Sequence, residues 1–270
     1  MTTFQSLVLG VVQGVTEFLP ISSTAHLRIV PALLHWDDPG AAYTAVLQLG
    51  SLVAVIGYFL PELMKMLAAA AAAVMDRSRP PTRPARELGY LVVGTLPAGV
   101  AGVAFKHAIE GSLRSLWVIA AALVVVALLL AVVEKTARHT RAFDEITLRD
   151  ALIIGCAQAF AVIPGVSRSG STLMAAMALG LTREAAARFS FLLSVPVVAA
   201  AGVFEMPKVL RAHDLAGNTL VIGLLAAAVA GYASIAWLLR FLRARSTIPF
   251  VIYRVALGLV LIAMLATGKL

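Results

Sequence analysis

Residues 13–26 read QGVTEFLPISSTAH. On a helix, Gln13 and Glu17 are four apart and share a face. Ser22, Ser23, Thr24 and His26 follow Pro20, where a new helix can begin. A helix N-terminus offers free N–H groups and a partial positive charge, and so takes anions readily. Helix capping is the ordinary explanation for serines in this place. It does not explain a carboxylate and an imidazole inside an otherwise apolar segment, where burying ionisable groups is costly.

A second constellation, PGVSRSGST, occupies residues 164–172. Gly165 and Gly170 let a backbone approach a ligand closely. Ser167, Ser169, Ser171 and Thr172 offer hydroxyls, and Arg168 presents a planar fork that suits phosphate oxygens. A small-residue packing face accounts for the glycines and Ser171 but not for the arginine. Together the two segments supply a carboxylate, hydroxyls, an imidazole and a guanidinium. That set suits phosphoryl transfer: arginine for the charged oxygens, serine or water as nucleophile, and glutamate or histidine as acid/base or metal partner. No Walker motif, Rossmann fingerprint or H-E-x-x-H is present, so nucleotide chemistry and zinc proteolysis find no support.

The elements that position these residues follow from composition. The 270 residues are 60% hydrophobic and 13% charged, with a mean hydropathy of +0.92. A soluble domain carries about 25% charged residues. The single cysteine, Cys156, excludes a disulfide scaffold. A polytopic membrane protein remains. The formal charge of +8 does not indicate nucleic acid, because the basic residues lie in short loops between apolar stretches. The first basic residue is Arg28, and no cleavage signature follows the apolar N-terminus, so residues 1–19 read as mature protein.

A helix needs about 20 apolar residues to cross the hydrocarbon core. Six stretches qualify: roughly 41–61, 89–105, 115–133, 187–206, 218–239 and 250–268. Residues 4–19 and 150–163 are too short, and each runs into one of the two constellations. They read as re-entrant helical hairpins, tolerated where buried in protein or beside water. The chain also resembles itself. SLVLGVVQG (6–14) lies over ALIIGCAQA (151–159), and the same offset puts Ser22 on Ser167 and Ser23 on Arg168. Residues 49–65 lie over 192–208, and 90–102 over 219–231. The reading is one all-α membrane domain over 1–270, with halves of about 1–134 and 145–270. Each half holds one hairpin and three crossings, an odd number that inverts the second half.

At this level of detail the chain resembles the undecaprenyl-diphosphate phosphatases of the bacitracin-resistance type. The resemblance runs over nearly the whole length: EFLPISSTAH, LQLGSL (47–52), PGVSRSGST, SFLLSVP (190–196) and IPFVIYR (248–254). It implies removal of the terminal phosphate of undecaprenyl diphosphate, which recycles the lipid carrier for envelope polymers and confers bacitracin resistance. It implies a divalent cation, magnesium or calcium. It places the family's paired acidic motif on Gln13 and Glu17, with Glu17 as metal ligand, its serine on Ser23, its histidine on His26 and its arginine on Arg168. Gln13 stands where many relatives carry Glu, which weakens a metal role there. Ala25 replaces a usual Gly and Ser171 a usual Ala. The four catalytic positions are then Glu17, Ser23, His26 and Arg168. Gln13, Ser22, Thr24, Gly165, Ser167, Ser169, Gly170 and Thr172 contact substrate. Partners are the polyprenyl diphosphate and the bilayer, with a homodimer compatible and no nucleic acid. The competing reading is a polyprenyl-phosphate flippase or transporter, suggested by broken helices in inverted halves.

The remaining polar and aromatic residues read as structural. His35, His107, His139 and His213 are expected in solvated loops, and Cys156 to be a small packing residue. Glu62, Lys65, Glu205 and Lys208 read as membrane-edge anchors, Trp117 and Trp237 as interfacial aromatics, and residues 64–75 as a short helix on the cytoplasmic side.

Loop charge sets the expected orientation in the bacterial inner membrane. Loops 62–89, 134–150 and 240–249 hold five, four and three Lys/Arg, against two each in 106–114 and 207–217. Six crossings put the three rich loops on one side, which is then cytoplasmic, with both termini and the first hairpin outside. After replacement of Cys156, a cysteine at Ser78 should react only with reagents that reach the cytoplasm. Labelling from outside intact cells would overturn the orientation.

Overall fold

The computed structural model describes residues 1–76, 78, 80–211 and 217–270. His213, Arg77 and Arg79, assigned to loops above, lie outside the described residues. In chain order the helices are α1 (Thr3–Phe18), α2 (Ser23–Leu33), α3 (Gly40–Tyr58), α4 (Leu60–Met75), α5 (Arg83–Ala104) and α6 (Lys106–Glu110). There follow α7 (Leu116–Thr136), α8 (Leu148–Ala159), α9 (Arg168–Ala178), α10 (Arg183–Arg211), α11 (Gly217–Ala244) and α12 (Ile248–Ala266). Among the described residues the protein is all helical, with one isolated β-bridge between Arg141 and Leu181.

Six helices are long and apolar enough to cross a membrane: α3, α5, α7, α10, α11 and α12. These are the six stretches expected from hydropathy. The largest shift is at α5, which begins at Arg83 because Pro84 opens the first turn and Arg83 pairs with Glu87 at 2.8 Å. The helix expected over 64–75 exists as the longer α4, following α3 after a turn at Phe59. Cys156, expected to pack inside, is exposed. Lipid-facing and interior positions of such a helix are equally apolar, so hydropathy alone does not separate its faces. Trp117 and Trp237 are both about half exposed, as interfacial rings should be.

With 16 and 12 residues at about 1.5 Å each, neither α1 nor α8 spans about 30 Å of hydrocarbon. Each instead breaks and packs against the helix that follows, α2 and α9 respectively. α1 runs along α11, α8 along α5, α3 along α10 and α7 along α12. Between lipid-embedded helices no hydrophobic drive exists, and close packing of small residues replaces it. A Cβ on Gly10 would stand 2.3 Å from the Gly223 carbonyl oxygen, and one on Gly155 would stand 2.3 Å from that of Gly94. The two contacts join positions that the internal alignment pairs: Gly10 with Gly155, and Gly94 with Gly223.

The outer rim of the bundle carries a small ion-pair clamp. Asp38, in the connection from α2 to α3, accepts from Arg114 at 2.5 Å and faces Arg28 at 3.3 Å. Burial pushes the Asp38 carboxyl up, but the Arg114 and Gly40 hydrogen bonds outweigh it and hold the group below its ordinary value of 3.8. The clamp therefore contributes above that value and is lost only as pH falls through the lowered one.

Overpacking of the α1–α11 contact is directly testable. Gly10→Ala should destabilise the detergent-purified protein by about 1–3 kcal/mol, read as a lower melting temperature. Gly89→Ala, where a Cβ meets nothing within 4 Å, should not. Equal melting temperatures for both would refute the packing assignment.

Candidate active site

The two helix breaks lie against each other at the centre of the bundle. In the first, α1 ends at Phe18, the chain turns through Pro20, and Ser22 caps α2 with its side chain accepting from Ala25 N. In the second, a 3₁₀ turn at Phe160–Val162 leads through Pro164 to Ser167, which caps α9 by accepting from Gly170 N. Ser22 and Ser167, aligned by the repeat, both adopt φ of 75°, a region that L-residues avoid. Non-glycine residues hold such a conformation only where the surroundings over-determine it. The N-termini of α2 and α9, 11 residues each, are thereby brought to one place.

Glu17, in the last turn of α1, is 5% exposed and accepts three hydrogen bonds. Arg168 Nη2 donates to Oε1 at 2.9 Å, Ser23 Oγ to Oε2 at 2.5 Å, and Gln13 Nε2 to Oε2 at 2.7 Å. The guanidinium therefore balances the buried carboxylate across the two hairpins, as a charge in this setting requires. Gln13 also donates to Ser51 of α3 at 3.3 Å.

His26 does not sit where a proton relay from Ser23 would need it. Its Nδ1 bonds the Ser22 carbonyl at 2.7 Å and its Nε2 the Tyr253 hydroxyl at 2.7 Å, with the two rings stacked. The carbonyl fixes Nδ1 as the protonated nitrogen, so Nε2 accepts from Tyr253. Spacing on a helix placed His26 one turn after Ser23, but that turn points it at α12, and Ser23 meets Glu17 instead.

The glycines also do other work than ligand approach. Gly165, at φ 96°, abuts α7, where a Cβ would lie 2.7 Å from the Ile119 carbonyl. A Cβ on Gly170 would meet Arg254 Nη1 at 3.1 Å. Ser169 donates to the Leu19 carbonyl at 2.9 Å, and Thr172 bonds Ser190 at 2.6 Å. These residues tie the breaks to their neighbours.

Arg254 of α12 is fully buried and was not singled out by its sequence context. It donates to Pro20 O of the first break at 3.0 Å, and to Gly165 O and Val166 O of the second at 2.8 and 3.2 Å. It also reaches Leu123 O of α7 at 3.3 Å.

A cavity of about 450 Å³ opens over this centre. Glu17, Ser23, Thr24, Gln158, Ser167 and Arg168 form its polar wall. Small residues of α5 and α10, among them Ala98, Gly99 and Ala201, form an apolar one. Its far end carries Lys106, Glu110, Arg114 and Glu205. There Lys208 bridges Glu110 at 2.5 Å and Glu205 at 2.8 Å, so these residues form ion pairs beyond simple edge anchoring. Gln13, Ser22, His26, Gly165, Ser169, Gly170 and Thr172 lie behind the polar wall. A second cavity of about 870 Å³ at the opposite end carries two ion pairs on its wall, Arg188 with Glu62 and Arg83 with Glu87.

Replacing Arg254 by lysine removes the planar fork that serves both breaks. Arg254→Lys should cost on the order of 3 kcal/mol, from loss of charge-assisted bonds to buried carbonyls, and visibly lower the melting temperature. Arg168→Lys should leave melting nearly unchanged, since a cation still faces Glu17. Similar melting of the two variants would refute the stapling role of Arg254.

Comparison with known proteins gives the family. The family described as bacitracin resistance protein BacA matches residues 6–260. An undecaprenyl-diphosphatase of Myxococcus xanthus is 52% identical over all of this chain and 91% of its own. One of Gloeobacter violaceus is 48% identical over 99% of this chain and 93% of its own, and one of Chloroherpeton thalassium 46% identical over 100% and 99%. The six spans, the paired breaks and the Glu17–Ser23–Arg168 centre thus occur in a chain that belongs to the BacA bacitracin-resistance family.

Proposed function

We propose that the protein is a membrane phosphatase that hydrolyses undecaprenyl diphosphate to undecaprenyl phosphate and inorganic phosphate, recycling the lipid carrier. The observation that carries this reading is the 2.5 Å hydrogen bond from Ser23 Oγ to Glu17 Oε2, with Arg168 on the other carboxylate oxygen. A nucleophile, its base and an anion clamp then share one cavity wall. Glu17 takes the Ser23 proton as Oγ attacks the terminal phosphorus. The bond to the bridging oxygen breaks, Glu17 passes its proton to that departing oxygen, and undecaprenyl phosphate leaves. Glu17, again a carboxylate, then deprotonates a water that attacks the seryl phosphate, and its proton returns to Ser23 Oγ as inorganic phosphate is released. Arg168 Nε, buried without a partner among the described residues, donates to the phosphoryl oxygens, joined by the N-termini of α2 and α9. The apolar wall takes the first isoprene units.

The family resemblance implies magnesium or calcium, and the residues present fit a cation held jointly with substrate. No group of three His, Cys, Asp or Glu side chains converges among the described residues. Magnesium is commonly held by one or two carboxylates plus phosphate oxygens. Glu17 supplies one carboxylate, and the Gln13 amide oxygen is buried without a partner beside it. Such a cation would neutralise charge on the leaving phosphate.

The cavity opens toward the side opposite the basic loops, so it faces outward in the orientation assigned from loop charge. The matched Ser22 and Ser167 caps and the crossed glycine contacts support reading α1–α2 and α8–α9 as re-entrant hairpins of an inverted repeat. A flippase would need the anion clamp but not a serine hydrogen-bonded to a carboxylate.

Phosphate release by the purified protein in detergent, where no two compartments exist, separates hydrolysis from transport. Ser23→Ala and Glu17→Gln should each abolish release, and Arg168→Lys should slow it by about 30- to 1000-fold. Wild-type turnover in Glu17→Gln would remove the carboxylate from the mechanism.

A further inference from the structure

Gln158 is a polar residue of the cavity wall that the proposed chemistry leaves unused. It lies in the last turn of α8, 2% exposed, on the wall shared with Glu17, Ser23 and Arg168. Neither its amide oxygen nor its amide nitrogen has a hydrogen-bond partner among the described residues. Buried side-chain amides are nearly always bonded, because leaving one unmatched costs its desolvation.

The aligned half explains why this amide is orphaned. Gln13, its counterpart, donates to Glu17 and Ser51. The positions matching those acceptors are Val162, which has no polar group, and Ser194, whose hydroxyl is donated to the Phe191 carbonyl at 2.5 Å. For packing alone, a leucine or methionine of similar size would serve this position better. Arg168 Nε is equally orphaned, so two buried donors without partners belong to residues of one cavity wall beside the nucleophile.

We propose that Gln158 is a substrate-positioning residue, its Nε2 donating to a non-bridging oxygen of the diphosphate and its Oε1 accepting from a water held against that group. This rests on the phosphatase reading. An amide can fill both roles at once. Being neutral, it adds no charge to a wall already balanced by the Glu17–Arg168 pair.

The test uses the whole chain in detergent with two readouts: phosphate release from farnesyl diphosphate, and thermal protection by inorganic pyrophosphate. Gln158→Leu keeps the volume and removes both polar atoms, with Gln158→Met as a second near-isostere should leucine fail to fold. The expected variant melts no lower than wild type, because no polar group is left buried and unmatched. Its KM rises by about 10- to 100-fold, the worth of one charge-assisted hydrogen bond. Its kcat changes less, as loss of ground-state positioning requires, and pyrophosphate protects it more weakly. Gln158→Glu, which sets a like charge against the diphosphate, should bind worse still. Wild-type KM and protection in the isostere would overturn the proposal. So would a lowered melting temperature with reduced activity at unchanged KM, the behaviour of a packing residue. Protection by pyrophosphate needs no turnover. If wild type released no phosphate, the reading of the reaction would fail while the pyrophosphate comparison still decided the role of Gln158.

Discussion

A helix broken inside the bundle frees buried carbonyls that must find donors, and the other features of this centre depend on how they are met. Arg254 meets most of them. One guanidinium carries five donors in a rigid plane, and here that plane reaches Pro20 of the first break, Gly165 and Val166 of the second, and the backbone of α7. His26 satisfies the Ser22 carbonyl, and Ser169 that of Leu19. Two interruptions that would each be intolerable alone become one rigid unit, whose geometry delivers the N-termini of α2 and α9 to the same cavity.

The electrostatics follow the same logic of mutual dependence. An unpaired charge buried among apolar helices is costly. Arg168 pairs with the Glu17 carboxylate at 2.9 Å, and it comes from the other break. The pair is therefore intact only when the two breaks are docked. The buried ion pair and the docking of the two breaks are one contact.

Much of this was legible in the sequence. The six spans came from hydropathy because lipid selects long apolar runs, and the two helix breaks from shorter runs that end in Pro and hydroxyl residues. Glu17, Ser23 and Arg168 were legible because ionisable and hydroxyl residues are out of place in apolar segments. The partners of a side chain were not. His26 was one turn from Ser23 in sequence, yet its ring is held by Tyr253, 227 residues away. Arg254 sits 234 residues from Pro20 and lies in an apolar segment whose arginine reads equally as an edge anchor. The exposed face of α8 at Cys156 was illegible for a third reason: lipid and protein interior favour the same side chains.

The alignment of the halves gives the centre its asymmetry. At the same offset Ser23 faces Arg168, Glu17 faces Val162 and His26 faces Ser171. The shared parts are those that build a break: the capping serines at φ 75°, and the glycines that seat α1 on α11 and α8 on α5. The divergent parts are the ionisable residues and hydroxyls of the centre. Had both halves kept a glutamate, two carboxylates would repel a diphosphate and each other. Had both kept an arginine, the clamp would lack a base. One break carries the carboxylate and the Ser23 hydroxyl, the other the cation, and the buried charges cancel only in the assembled pair. A low-dielectric interior favours this division, because an unpaired charge on either break would be costly to bury.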